Sequence, residues 1–110
     1  MGSLYYVLDG QAVRAVDVQT WAAWFEAARE DGRTRIAAHT LPDGRWLSTV
    51  FLGIDHAWGG GPPQLFESMV FRSETDLDET YCARHATWRA AMDGHYALLR
   101  RLREGLPAEE

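Results

Sequence analysis

The sequence predicts an α+β fold in which an antiparallel sheet of about four to six strands packs one face against two helices. Three observations lead there. Two stretches repeat apolar residues at the 3.6-residue period of a helix. Before and between them run segments rich in valine, isoleucine, phenylalanine, tryptophan and tyrosine, the residues that favour strands. Short turns or loops separate these segments, so consecutive strands should pair as an antiparallel meander.

Leu4 to Leu8 and Gln11 to Val16 flank the turn pair Asp9-Gly10, which predicts an opening hairpin. Asp17 is positioned to cap a helix on which Val18, Trp21, Ala22, Phe25 and Ala28 form one apolar stripe, ending near Asp31-Gly32. Trp24 sits at the margin of that stripe, where a partly buried packing role is expected. Thr34 to Leu41 and Arg45 to Ile54 read as strands joined by Pro42-Asp43-Gly44. A glycine- and proline-rich loop, Asp55 to Pro63, leads to a strand over Gln64 to Arg72. Glu74, Asp76, Asp78 and Glu79 then make an acidic loop that lacks the calcium-loop pattern, and a short strand over Tyr81 to His85 follows. Thr87 caps a last helix running to about Glu104, with Trp88, Ala91, Met92, His95, Leu98, Leu99 and Leu102 on one face.

The chain has 110 residues, which fits one domain over 1–110 with a core large enough to need no staples. Its longest apolar run, Val50 to Ile54, is far too short to span a bilayer, and no secretory signal is expected ahead of the first strand. A cytoplasmic protein is therefore expected, with no membrane association. The single cysteine, Cys82, excludes an intramolecular disulfide and a four-thiolate zinc site. There is neither lysine nor asparagine, which rules out a Walker-type phosphate loop, a Schiff-base lysine and a cysteine-histidine-asparagine triad. The net charge of −5 argues against binding the nucleic-acid backbone, which takes cations to displace its counterions.

The Pro42-Asp43-Gly44 turn sets Leu41 opposite Arg45, His39 opposite Leu47 and Ala37 opposite Thr49. If the next pair places Phe51 near Glu67, one face carries Ile36, Ala38, Trp46, Ser48, Val50, Leu52, Ile54, Phe66, Ser68 and Val70, and the helices should cover it. The other face then carries Arg35, His39, Leu47, Thr49, Phe51, Asp55, Leu65, Glu67, Met69 and Phe71. That mixture of charge and apolar bulk suits a ligand or partner surface, and equally suits a solvated face with an Arg35 to Glu67 ion pair. A slip of one residue would exchange the two faces.

Asp55 and His56 bring a carboxylate and an imidazole to the glycine loop, as an acid-base pair or metal ligands, with Trp58 beside them. The simpler expectation is a wide connection in which Asp55 bonds loop amides and Trp58 folds over the core. His95 sits in the middle of an apolar helix face. It reads as a core imidazole with a satisfied acceptor or, more sharply, as the partner of Asp55, His56 or Glu67 in a metal or acid-base site. Cys82 reads as a small apolar residue rather than a nucleophile.

Leu47 to His56, with Gly59-Gly60-Gly61-Pro62-Pro63 and Leu65 to Phe71, resembles a family of small uncharacterised proteins frequently encoded in phage and prophage genomes. Its members share a pattern of the form STVFLGLDH, GPP, FETMVF. The resemblance extends to the opening tyrosine pair, to Ala86-Thr87-Trp88 and to Gly94-His95; after Phe71, Arg72 and the acidic loop replace a glycine-rich turn. It implies a cytoplasmic, phage-associated accessory or counter-defence protein and no particular activity.

The reading these residues support is a non-enzymatic binding protein without a cofactor. It engages a protein partner or small ligand through Arg35, His39, Asp55, His56, Trp58 and Glu67. Two alternatives stand beside it: a small hydrolase assisted by a divalent metal held by Asp55, His56, Glu67 and His95, with His56 and His95 catalytic, and a structural or assembly subunit.

Overall fold

The computed structural model describes residues 4–55 and 60–109. The fold is α+β as expected, with the strands divided between a two-stranded and a four-stranded antiparallel sheet. Strands β1 (Tyr5–Asp9) and β2 (Ala12–Val16) form the opening hairpin, turning at Gly10 with φ of 63°. Helix α1 (Val18–Glu30) starts where the Asp17 carboxylate accepts the Thr20 amide at 2.7 Å, a bond that holds that carboxyl below its usual range.

The larger sheet is the expected meander, β3 (Arg35–Thr40), β4 (Trp46–Phe51), β5 (Phe66–Phe71) and β6 (Glu79–His85), paired in that order. Strand β6 begins earlier than the sequence suggested, and β4 stops at Phe51 rather than Ile54. Beyond Phe51 the chain turns to the hairpin. Gly53, at φ of 73°, accepts the Tyr6 amide at 2.8 Å, and the Asp55 amide donates to Leu4 at 2.9 Å. A side chain at position 53 would collide with the Trp21 indole, so both space and backbone require glycine there.

Helix α2 (Trp88–Arg103) is capped by Thr87, whose hydroxyl accepts the Ala90 amide at 3.0 Å. Leu98, Leu99 and Leu102 pack on Leu41, Leu47 and Val70, a cluster that fastens the helix across the sheet. At the other end Phe51, Leu65, Phe66 and Ala91 form a second cluster, which Tyr6, Leu8, Trp24 and Trp88 close. Trp24, half-buried as expected, meets Phe51 edge-on at 5.6 Å and ties α1 to the face that α2 covers. No helix among the described residues is long and apolar enough to cross a membrane.

The register corrects the expected assignment of faces. The first hairpin pairs as its turn requires, with Ala37 opposite Thr49 and His39 opposite Leu47. The second pair lies one residue away from the expectation, because Phe51 faces Phe66 and Val50 faces Glu67. Leu47, Thr49 and Phe51 consequently join Phe66, Ser68 and Val70 under α2, and Trp24 of α1 reaches the same face at Phe51. Trp46, Ser48 and Val50 lie on the uncovered side with Glu67, Met69 and Phe71. A bulge at Ile36 makes a further exchange: Arg35 pairs with Val50 and stays on the open face, while Ile36 packs into the core.

Candidate functional site

The two faces carry different chemistry. On the covered side, polar groups from every strand of the larger sheet meet α2 in one hydrogen-bonded row. His39 Nδ1 lies 2.9 Å from His95 Nε2, and His95 Nδ1 lies 2.7 Å from Thr49 Oγ1. Thr49 Oγ1 is 2.6 Å from Ser68 Oγ, which is 3.1 Å from His85 Nε2. His95 and Thr49 are fully buried, whereas His39 on one edge strand and His85 on the other are half-buried. Each buried polar atom in the row is satisfied by its neighbours, which is the condition for keeping such groups in a core.

Local structure explains why the row can form. Gly94 lets the His85 ring lie against α2; a Cβ there would stand 2.6 Å from the ring. Thr49 and Ser68 are directly opposed across β4 and β5, which brings their hydroxyls together. Burial, reinforced by the neighbouring His39, depresses the basicity of His95 to about 4, and burial also lowers that of His85. At neutral pH the row is therefore uncharged at both of these positions.

The open side is a platform of apolar groups with a charged margin. The Trp46 and Phe71 rings lie tilted against each other with centroids 5.6 Å apart, and the exposed Arg35 lays its guanidinium over Trp46 at 4.9 Å. Half-buried Val50 and Met69 fill the middle. Glu67, though buried, forms an ion pair with the Arg84 guanidinium at 3.0 Å. Cys82, an exposed residue, lies beside Met69, and partial desolvation together with the Glu67 carboxylate pushes its thiol up to about 11, the opposite of an activated nucleophile.

The candidates from the sequence are thus divided. Arg35 and Glu67 share the open face and the row Arg35, Val50, Glu67, Arg84, but Glu67 pairs with Arg84 rather than with Arg35. His39 belongs to the covered side with His95. Glu67 and His95, two members of the alternative metal-assisted set with Asp55 and His56, lie on opposite sides of the sheet. His56 and Trp58 lie outside the described residues. Asp55 does bond a loop amide, accepting the Gln64 N–H at 3.1 Å. Among the described residues no group of three or more histidine, cysteine, aspartate or glutamate side chains is placed to hold a metal ion.

Ser68, His85, Gly94 and Trp46 carry no site role in the sequence reading, and Thr49 appears there only as one member of the mixed face. The signal for two of them was present: hydroxyls inside strongly apolar strands, facing a helix with a histidine on its apolar side. Compared with protein-family models, curated proteins and solved structures, the chain matches none.

Proposed function

We propose that this chain is a non-enzymatic binding protein that docks a protein partner on the open face of its four-stranded sheet. One observation carries the reading: Trp46, Phe71, Met69 and Val50 form an apolar platform on the side away from both helices, rimmed by Arg35 and Arg84. Aromatic and arginine side chains on an apolar centre are the composition from which interface hot spots are built. Clefts of about 600 Å³ along Trp21, Phe25 and Arg29, and of about 280 Å³ beside Trp24 and Trp88, open elsewhere. A broad sheet face suits a protein better than a small ligand. The groups best arranged to move protons, His95, Thr49 and Ser68, are sealed beneath α2, which favours binding over catalysis.

The setting we assign is the cytoplasm of a phage-infected or lysogenic cell, where the protein acts as an accessory or counter-defence factor. The resemblance of the Leu47 to Phe71 segment to phage-encoded proteins supports that setting.

Affinity capture from the native host tests the reading. The wild-type chain is compared with Arg35→Glu/Met69→Asp on the open face and with Asp93→Ala on the exposed side of α2. A partner held by the wild type and by Asp93→Ala, and lost from the double variant at unchanged melting temperature, is the expected result. Equal retention by all three removes the open face from the function.

A further inference from the structure

The polar row beneath α2 has a property that none of its members has alone. Thr49 Oγ1 and Ser68 Oγ each meet two partners in the row, and each hydroxyl owns one proton. A neutral His95 owns one N–H and one bare ring nitrogen, and both nitrogens are engaged. Each interior member must therefore donate one hydrogen bond and accept the other. The whole row points one way at a time, from His39 toward His85 or from His85 toward His39.

We propose that His39, His95, Thr49, Ser68 and His85 form a reversible proton relay across the sheet, which accepts one extra proton at His39 or at His85 but not at both. In the first polarity all three imidazoles carry their proton on Nδ1. A proton arriving at His39 Nε2 makes that ring an imidazolium, which passes its Nδ1 proton to His95 Nε2. His95 gives its Nδ1 proton to Thr49, Thr49 gives its hydroxyl proton to Ser68, and Ser68 gives its own to His85 Nε2. His85 then sheds its Nδ1 proton to solvent. One proton has entered and one has left, no heavy-atom bond has changed, and all three imidazoles now carry their proton on Nε2.

Double protonation has no such solution. With both end rings donating inward, two donors converge on an interior hydroxyl and leave its own proton without an acceptor. An orphaned donor in a buried site is costly. The ends are consequently anti-cooperative although three residues separate them.

Surrounding groups do not relieve this conflict. From β3 the row is faced by His39 itself, from β6 by His85, and from α2 by His95 and Tyr96, whose ring lies 5.1 Å from His95 and 5.5 Å from His39; Tyr81 of β6 shares this side of the sheet and packs on the leucine cluster. Strands β4 and β5 present only Thr49 and Ser68 among polar groups, since Glu67 points to the opposite side. Asp93, the nearest acidic residue along α2, is exposed beside Arg89 at 3.8 Å. Among the described residues no carboxylate faces the row.

Nitrogen-15 spectra of the histidine rings in the full chain test the proposal. At neutral pH the rings of His39, His95 and His85 should share one tautomer, or one common ratio of the two. The protonation midpoint of His85 should rise by about half a pH unit or more in His39→Gln and in Thr49→Val, both of which cut the coupling, and return in Thr49→Ser, which restores the hydroxyl. Unlike tautomers among the three rings overturn the relay, as does a His85 midpoint indifferent to both cuts. Should Thr49→Val fail to fold, the wild-type tautomers and the His39→Gln midpoint decide the question.

Discussion

His85 rests on the backbone of α2 at Gly94, so closely that a methyl group at position 94 would stand 2.6 Å from its Cε1 atom. Glycine inside a helix ordinarily costs about 0.5–1 kcal/mol relative to alanine. Here the sign reverses. Gly94→Ala should destabilise the fold by about 1–3 kcal/mol, because the ring cannot withdraw without losing its bond to Ser68. In a His85→Ala background the same substitution should become neutral or stabilising, and chemical denaturation of the four variants measures the difference.

Stability should fall on the acid side of neutrality. An unfolded histidine binds its proton near pH 6.5, whereas folded His95 does so only near 4. Between those values the unfolded chain holds more protons, so stability is complete above about pH 6.5 and declines as pH drops toward 4. The slope for one histidine is about 1.4 kcal/mol per pH unit. His85, shifted the same way, adds to it. Denaturation midpoints at pH 7.5, 6, 5 and 4.5 check the direction, and His95→Gln should flatten the curve.

Removing Arg84 should be worse than removing its charge pair as a unit. Glu67 is almost enclosed, with 9% of its side chain exposed, while 43% of the Arg84 side chain meets solvent. Arg84→Ala strands a buried carboxylate and should cost about 1–2 kcal/mol, reduced from the value for a fully buried pair by the exposure of the arginine. Adding Glu67→Met should recover most of that loss. Thermal melts of both variants provide the comparison.

Gly53→Ala should be among the most damaging small substitutions in the chain. The new methyl group would meet the Trp21 indole nitrogen at 2.5 Å, and the residue would be held at a φ of 73°. A loss of roughly 2 kcal/mol or more is expected. Quenching or shift of tryptophan fluorescence would report the displacement of the indole.

Much of the fold is written locally. Asp9-Gly10 and Pro42-Asp43-Gly44 specify their turns, and Asp17 and Thr87 specify their caps, because each acts within a few residues of itself. The pairing of His39 with Leu47 follows from the turn alone. The choice of face does not. Along β4 both alternations, Trp46, Ser48, Val50 and Leu47, Thr49, Phe51, are equally apolar, so periodicity is silent. The long connection from Asp55 to Pro63 leaves the β4 to β5 register open by one residue, and the bulge at Ile36 is a local event without a glycine to announce it. His95 was readable as a core imidazole from its place on α2, but its partners come from strands whose facing depended on that register.

The clamps at Asp55 have a consequence for how the chain tolerates change. Its amide is fastened to Leu4, and its carboxylate to the amide of Gln64, so the two ends of the glycine-rich crossing are pinned together independently of what lies between them. A peptide tag spliced between Gly60 and Gly61 would lengthen a closed ring rather than pry strands apart. For a closed ring the entropic cost grows only with the logarithm of its length.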